Sequence, residues 1–366
     1  MTKFKLPFGI LFALILGYLQ ACAPLPIKGD FNEKKIFVGP GPEDIVADTF
    51  GGRNRLIVSC SERRKGAGNL SDLWAIDLSN DSTYILKRTG EPEDNFTFKP
   101  HGIEILNVIN KTFLMVVNHN IKDGYERQSL LVYQWNKDHF YWLQELFYDG
   151  TAVYYRYRYP IKEGAVHEIY LDTIQTGKDL AFTHANDVHR GPDGRLWWTN
   201  DMSKSGKYAE NVFAIKSGWV GSFQFPRDIK KSTQKFAYPN GLITVGNDLW
   251  ISTAREHKIY KLKDGDLSSK AEFITKIPGG DNFTHFGEEV LVTSHPKPFK
   301  FLAHAKNSDK KSPSVVYAIH KLSGDKRVVY SDDGKQISAA STALQIGDNL
   351  YLAQVFDGYI LKVIKK

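Results

Sequence analysis

Residues 182–201 read FTHANDVHRGPDGRLWWTND and contain one complete structural unit. The polar pair Asn186-Asp187 precedes Val188, and the turn Pro192-Asp193-Gly194 then leads into the apolar run Leu196-Trp197-Trp198-Thr199. A turn of Pro, Asp and Gly between two short apolar runs is typical of a β-hairpin. The stretch therefore predicts two antiparallel strands, with polar residues at the start of the first.

The same plan recurs along the chain and is usually followed by a third apolar strand, as in Leu73-Trp74-Ala75-Ile76 and Asn211-Val212-Phe213-Ala214-Ile215. Repeated units of three or four short strands predict an all-β, six-bladed β-propeller. The run Lys35-Ile36-Phe37-Val38 is expected to pair with the C-terminal strand and close the ring, which removes an open sheet edge. The further copies start at Glu43-Asp44, His101-Gly102, Asn240-Gly241, Asp281-Asn282 and Ser341-Thr342.

In a propeller the first strand of each blade lines the central channel, so the residues that start the copies should converge near the axis. Most of them carry carboxylate or amide oxygens, which Ca²⁺ prefers, whereas Zn²⁺ favours His and Cys. The sequence therefore predicts a central Ca²⁺ channel. The alternative is that these Asn, Asp and Gly residues are ordinary turn residues, which any single copy would equally suggest.

Eight short motifs across residues 41–365 resemble the serum paraoxonase/arylesterase family in order and approximate spacing. The agreement in register is more specific than any single motif. The motifs are Gly41-Pro42-Glu43-Asp44-Ile45, Lys99-Pro100-His101-Gly102-Ile103, Val116-Val117-Asn118-His119, Asn186-Asp187-Val188, Pro239-Asn240-Gly241, Asp281-Asn282, Ser294-His295-Pro296 and Val355-Phe356.

The resemblance implies a six-bladed propeller with two Ca²⁺ ions that hydrolyses lactones and aryl esters. It implies that His101 and His119 form the catalytic pair, and that His295 and Phe356 lie in the substrate pocket. The buried structural ion would bind Asp44, Asp187 and the backbone carbonyl of Ile103. The exposed catalytic ion would bind Glu43, Asn186, Asn240, Asp281 and Asn282.

The N-terminus predicts export and lipidation. A basic start and an apolar run of residues 6–21 are typical of a secretory signal peptide, and Leu19-Gln20-Ala21-Cys22 fits the site cut by bacterial signal peptidase II. We expect a signal peptide at 1–21, a lipidated Cys22 with a tether at 22–35, and a single propeller at 36–366. The protein would then lie in the bacterial cell envelope, lipid-anchored and extracytoplasmic.

An ordinary signal peptide with a chance cysteine is the alternative. If Cys22 carries lipid, Cys60 stands alone and no disulfide framework is expected. A bridge between Cys22 and Cys60 remains a second alternative. The family's animal members are thought to join their termini by a disulfide, which this sequence does not reproduce.

Composition fits a large propeller, because 7 Trp, 18 Tyr and 22 Phe can fill the wedges between twisted sheets. The net charge of +7 is spread over many lysines, so it predicts no nucleic-acid partner and suits an anionic membrane surface. The sequence does not indicate an oligomeric state. Lys300 to Lys311 is expected to be a polar loop, and His304 within it a surface residue. The basic loop at Arg63-Arg64 could lie at either end of the channel.

The expected chemistry is metal-assisted hydrolysis of a lactone or ester, with His101 activating water and His119 orienting it. The chain has no Gly-x-Ser-x-Gly motif, which argues against an α/β-hydrolase mechanism. Two alternatives stay open. One is a non-catalytic envelope propeller that binds a ligand or partner, and the other is a single-metal sugar lactonase of the gluconolactonase type.

Overall fold

The structure is a computed structural model that describes residues 25, 29–64, 70–92, 97–122, 125–149, 151–158, 169–176, 184–203, 210, 213–225 and 227–366. The predicted signal peptide and the predicted lipidation site, Cys22, lie outside the described residues. Within the described residues, no helix is long and apolar enough to cross a membrane.

The described strands form six antiparallel sheets, and the hairpin repeats of the sequence supply the first two strands of each. The first sheet contains β2 (Pro42–Asp48), β3 (Arg55–Ser61), β4 (Ser71–Asp77) and β5 (Thr83–Ile85), and the second contains β7 (Pro100–Val108), β8 (Lys111–Lys122), β9 (Tyr125–Asn136), β10 (His139–Tyr148), β11 (Ala152–Arg158) and β12 (Ile169–Thr176), with β6 (Arg88–Thr89) parallel to β10. The third sheet contains β13 (Ala185–Arg190), β14 (Leu196–Asn200), β15 (Trp219–Gln224) and β16 (Asp228–Lys231), and the fourth contains β17 (Pro239–Val245), β18 (Asp248–Thr253), β19 (Lys258–Leu262) and β20 (Glu272–Lys276). The fifth sheet contains β21 (Gly280–Phe286), β22 (Glu289–Ser294), β23 (Ser314–His320) and β24 (Lys326–Asp332), and the sixth contains β25 (Ala340–Ile346), β26 (Asn349–Gln354), β27 (Tyr359–Lys365) and β1 (Phe31–Phe37).

The first strands of successive sheets lie side by side. In the order β2, β7, β13, β17, β21 and β25, each contacts the next, and β25 contacts β2. These six inner strands lie side by side around a common axis, and their first residues define what we call its upper end. The arrangement is an all-β propeller fold, as the repeats predicted.

The N-terminal strand β1 pairs with the C-terminal strand β27 from Phe31 opposite Lys365 to Phe37 opposite Tyr359. The strand begins before the predicted run at Lys35, so residues 31–35, which the sequence analysis assigned to the tether, belong to the sheet.

Large side chains fill the spaces between the sheets. Trp198, Trp250 and Trp142 are at most 3% exposed, and each belongs to a hydrophobic cluster of buried residues. Cys60 is buried in the cluster that contains Ile45 and Tyr351. The tryptophans of the repeat therefore stabilise the packing between sheets.

Two sequence predictions of local structure are wrong. Residues 213–215 are not part of a strand, because Ala214 adopts a φ of 51° and β14 pairs instead with β15. The segment from Lys300 is helical: α1 (Pro298–Lys306) connects β22 to β23, with Pro298 at its first turn. Proline is favoured there because N–H groups in the first turn of a helix have no acceptor within the helix, so the lack of one costs no hydrogen bond.

Candidate metal centre and hydrolytic site

Each inner strand begins with a β-bulge, and the candidate site residues lie in these bulges. In all six inner strands the pairing register with the next strand shifts within the first four residues. A bulge takes residues out of the regular ladder and re-aims their side chains. The bulge residues are Glu43, His101-Gly102, Asn186-Asp187, Asn240-Gly241, Asp281-Asn282 and Ser341-Thr342.

Hydroxyl groups on the second strands bind the backbone that the bulges leave outside the ladder. Ser59 Oγ accepts a hydrogen bond of 3.1 Å from the Asp44 N–H. Thr199 Oγ1 accepts one of 3.0 Å from the Asp187 N–H and donates one of 2.7 Å to the Asn240 carbonyl. Thr199 therefore fixes the bulges of two neighbouring sheets relative to each other.

The bulges place five predicted site residues around one cavity of about 90 Å³ at the upper end, which we call the upper cavity. Glu43, Asn186, Asn240 and Asp281 are between 2% and 7% exposed, and His101 lines the same wall. Asn282 lies beside them, with its Nδ2 3.4 Å from Glu43 Oε1. Residues separated by more than two hundred positions thus meet at the axis.

Four buried oxygens around this cavity have no hydrogen-bond partner among the described residues: Glu43 Oε2 and the Oδ1 atoms of Asn186, Asn240 and Asn282. The amide nitrogens of the three asparagines do have partners, on Asp201, Asp281 and Thr342. Each unsatisfied buried acceptor costs about 1–3 kcal/mol. The His101 ring, whose two nitrogens also lack a partner, can supply one N–H to these acceptors, and an oxygen-binding cation would satisfy the others.

The asparagines are essential to such a site. Within the described part of the chain, no three His, Cys, Asp or Glu side chains come together as a metal site on their own. A cation here would need the amide oxygens in addition to Glu43 and Asp281. Calcium accepts mixed carboxylate and amide ligands, so the residues present fit Ca²⁺.

Burial raises the pKa of three carboxylates near the axis, those of Glu43, Asp44 and Asp187. The pKa of Glu43 lies well above its usual value because of burial, and the nearby Asp281 and Asp44 raise it further. The pKa of Asp44 rises from 3.8 to about 7, again chiefly through burial, and that of Asp187 rises for the same reason. Without a cation, the buried negative charges are therefore unfavourable; an ion at the axis would reverse the shifts.

Asp44 and Asp187 lie one layer below, with Ile103 and Asn282, at the inner end of a cavity of about 230 Å³ that we call the lower cavity. Each carboxylate accepts a hydrogen bond from the next inner strand: Asp44 Oδ2 from the Ile103 N–H at 2.7 Å, and Asp187 Oδ2 from the Leu242 N–H at 2.9 Å. These two carboxylates therefore join neighbouring sheets in addition to any role in binding a cation.

The two predicted catalytic histidines stack on each other, with ring centroids 4.5 Å apart and planes at 22°. His119 Nε2 lies 2.7 Å from the carbonyl of Ala185, which can only accept, so this nitrogen carries the proton. His101 Nε2 lies 3.8 Å from Glu43 Oε1. Burial, with help from Arg63 and His119, lowers the pKa of His101 well below its usual value, so its ring is neutral near pH 7.

The two predicted pocket residues occupy different layers. His295 lines the upper cavity, and its Nε2 lies 2.7 Å from Asp281 Oδ2. Phe356 is one layer behind: its ring packs against Phe301, with centroids 5.4 Å apart, and Phe301 rather than Phe356 faces the cavity.

The sequence left Arg63 at either end of the channel and gave no indication of four other residues at the upper end. Arg63 Nη2 lies 4.0 Å from Glu43 Oε2, and Tyr238, Arg255, Pro298 and Phe301 line the upper cavity. The position of Arg63 could have been inferred from topology, because β3 runs antiparallel to β2 and must end where β2 starts. The other four lie outside the repeated motif, so the repeat gave no signal for them.

The sequence model of the arylesterase family, which includes the paraoxonases, matches residues 161–360, more than half of the 366 residues. The chain belongs to the arylesterase family. Membership in the arylesterase family supports an enzyme of the esterase or lactonase type that acts on small molecules. No curated protein matches the chain.

Solved structures similar to this arylesterase-family chain include a streptogramin B lyase, at 11% identity and a TM-score of 0.56, covering 92% of this chain and 98% of that one. Another is the virginiamycin B lyase from Staphylococcus aureus, at 12% identity and a TM-score of 0.53, covering 92% and 99%. At such low identity these similarities support the propeller fold alone.

Proposed function

We propose that this protein is a Ca²⁺-dependent hydrolase that opens lactones, hydrolyses aryl esters, or does both. The observation that carries the proposal is the ring of four unpartnered oxygens beside a neutral, buried His101. The proposal treats the six sheets as the six blades of one propeller, with β1 closing the ring.

Glu43, Asn186, Asn240, Asp281 and Asn282 would hold the catalytic ion. Asp44, Asp187 and the carbonyl of Ile103 would hold the structural ion. When bound at the upper cavity, Ca²⁺ supplies electrostatic stabilisation of the oxyanion that develops on a substrate carbonyl.

His101 would act as the base. Its neutral ring accepts a proton from the attacking water and returns it to the leaving oxygen, so that lactone and water give the hydroxy acid. His119 holds the His101 ring by stacking, while the Ala185 carbonyl fixes the His119 proton on Nε2. His295 is oriented by Asp281, and the apolar Pro298, Phe301 and Val355 line the same cavity and exclude water from it.

The proposal is tested by assaying the purified protein against aliphatic lactones and phenyl esters, before and after calcium removal with EGTA. We expect hydrolysis that is lost with calcium and restored by adding it back. Full turnover after metal analysis has verified calcium removal would contradict the proposal.

One observation favours a second candidate, the single-metal sugar lactonase. Asp44 and Asp187 already accept backbone hydrogen bonds on both carboxylate oxygens, so they have a structural role without a second ion. Two tightly bound calcium ions per chain would support the paraoxonase-like arrangement. One ion, together with a preference for sugar lactones, would support the alternative.

We also propose that Cys22 is lipidated and anchors the protein in the bacterial envelope, with the propeller outside the cytoplasm. The support is the N-terminal sequence pattern. Metabolic labelling with palmitate should mark the wild-type protein and not Cys22→Ala. Equal labelling of both would contradict lipidation at this residue.

A further inference from the structure

Helix α1 covers one side of the upper cavity, and its two faces differ. Pro298 and Phe301 line the cavity, and the Phe301 ring packs against His295 with centroids 4.5 Å apart. Phe299 and Leu302 are 54% and 42% exposed on the outer face. Phe301 is therefore the large side chain of this helix that limits the space beside the candidate ligands.

Three charged or polar side chains fix the helix in this position, and we call Arg64, His304 and Asp357 the Arg64 clamp. Arg64 Nη2 lies 2.7 Å from Asp357 Oδ1 and 3.3 Å from His304 Nε2. His304 Nδ1 faces the Lys310 carbonyl at 2.8 Å and must donate to it, so Nε2 is free to accept from Arg64. His304 is 0% exposed, which contradicts its expected surface location.

The clamp joins three segments that are distant in sequence. Arg64 follows β3, His304 is on α1, and Asp357 follows β26. Arg64 Nη1 also donates to the Phe356 carbonyl at 3.1 Å, and the guanidinium lies 5.3 Å from the Phe356 ring centroid. The Phe356 ring in turn contacts Phe301 at 5.4 Å and His304 at 5.6 Å. A continuous set of contacts thus extends from Arg64 to the ring that faces the cavity.

Because the upper cavity is small, the position of the Phe301 ring affects which ligands fit in it. Its volume of about 90 Å³ is small, because pockets for drug-sized ligands are roughly 300–1,000 Å³. A single small ring is close to this volume, and Phe301 is the largest side chain that α1 contributes to the lining, so a smaller residue at this position would enlarge the cavity.

We propose that Phe301, held in place by the Arg64 clamp, restricts the substrate to small-ring lactones and compact esters. Hydrolysis itself rests on the function proposed above, but the size limit does not, because it also governs the binding of analogues that are not hydrolysed. Phe301 is the specificity-determining residue, and Arg64, His304 and Asp357 are positioning residues.

The size limit is tested with lactams, which are stable analogues of lactones, by titration calorimetry on the calcium-loaded full-length protein. We expect unsubstituted five-membered lactam to bind the wild type at least tenfold more tightly than lactam carrying a ring-carbon octyl chain. In Phe301→Ala this ratio should fall at least tenfold. Phe299→Ala, on the exposed face of the same helix, is the matched control and should keep the wild-type ratio.

An unchanged ratio in Phe301→Ala, equal changes in both variants, or no binding of any lactam would overturn the size limit. If lactams bind with the expected selectivity but no lactone or ester is hydrolysed, the proposed function fails and the size limit stands.

The clamp is tested by hydrogen exchange at the backbone amides of α1. Asp357→Asn removes the charge that Arg64 binds, and should accelerate exchange in α1 at least tenfold and lower the lactam ratio. Asp333→Asn, a matched change in a loop after β24, should leave both unchanged. Unaltered exchange and an unaltered ratio in a folded Asp357→Asn protein would overturn the positioning role.

Discussion

At the residue scale, the orientation of the asparagine amides is the feature with chemical consequence. Asn186, Asn240 and Asn282 each give their Nδ2 protons to an oxygen acceptor and leave Oδ1 unpartnered towards the axis. Asp201 and Thr342 therefore act on the site indirectly, because they determine which end of the Asn186 and Asn282 amides faces the cavity. The sequence predicted which asparagines converge but could not predict their orientation.

Asp281 is the residue whose loss should affect the site most. Its Oδ1 accepts from Asn240 and its Oδ2 lies against His295, so Asp281→Ala removes a charged ligand and releases two neighbours. Changes outside the direct ligands of a metal already cost about 10–100-fold in affinity, and we expect at least that loss of calcium affinity here. Calcium titration against Asp309→Ala, an exposed control, checks this; equal affinity in both would contradict a ligand role.

His101 should be needed for turnover but not for calcium binding. A positioned base contributes about 10²–10⁴-fold to a rate, and His101→Gln should lower kcat by that order while the calcium content stays unchanged. The stacked His119 should remain in place because the Ala185 carbonyl holds it. His320→Gln on β23 is the control. Unchanged turnover would instead favour a base elsewhere in the site or a non-catalytic propeller.

At the element scale, the six bulges explain why so much of this site could be predicted. A bulge at one position of a repeated hairpin delivers the residues at that position to the axis in every copy, so the repeat phase alone selected Glu43, Asn186, Asn240 and Asp281. Phe301 and α1 could not be found this way. They belong to an insertion that contains nine helical residues, lies between the second and third strands of one sheet and follows no repeat.

The strand predicted at 211–215 is wrong at its described residues, 213–215, for a related reason. Its apolar residues favour a strand locally, but Phe213 and Ile215 are each 46% exposed, and the sheet takes β15 instead. At β15, Gly221 allows the Trp198 ring to approach to a distance that a Cβ could not tolerate. Tertiary packing around a buried tryptophan, which local propensity does not report, decided the outcome.

The hydroxyl groups that fix the bulges should contribute to both stability and cation binding. Thr199→Val keeps the shape of the side chain but removes the hydrogen bonds to the Asp187 N–H and the Asn240 carbonyl. We expect a loss of about 1–3 kcal/mol in the free energy of unfolding, because two buried backbone groups lose a partner. Urea unfolding of Thr199→Val against Thr275→Val on β20 measures this. Equal stabilities would show that the bulges hold without Thr199.

At the scale of the whole molecule, two kinds of contact alternate between neighbouring inner strands: hydrogen bonds to carboxylates, and close backbone approach at glycines. Carboxylates on β2 and β13 reach the backbone of β7 and β17. The corresponding positions on β7 and β17 are Gly102 and Gly241, where a Cβ would lie 2.7 Å from the Asp187 Cα and 2.8 Å from the Asn282 Cα. Small residues thus let the next inner strand approach, and the ring brings several acidic groups together at its axis.

The concentration of acidic groups predicts that calcium stabilises the protein more as pH rises. Asp44 has a pKa of about 7 in the folded, metal-free chain and 3.8 as its ordinary value, and the pKa values of Glu43 and Asp187 are also raised by burial. A raised folded pKa gives stability that is present below the unfolded value and lost as pH rises through the folded one. The metal-free protein should therefore lose stability between about pH 4 and 7, by a few kcal/mol in total.

Calcium competes with these protons, so the calcium-loaded protein should not lose stability in this pH range. The difference in the free energy of unfolding between the calcium-loaded and the metal-free protein should therefore widen towards pH 7.5. Urea unfolding with EGTA or with calcium, at pH 4.5, 6.0 and 7.5, measures the difference directly. Asp44→Asn should flatten the metal-free dependence because it removes one of the titrating groups. A stability difference that is constant across this range would mean that the buried carboxylates do not bind calcium, since a bound cation must displace the protons that burial favours.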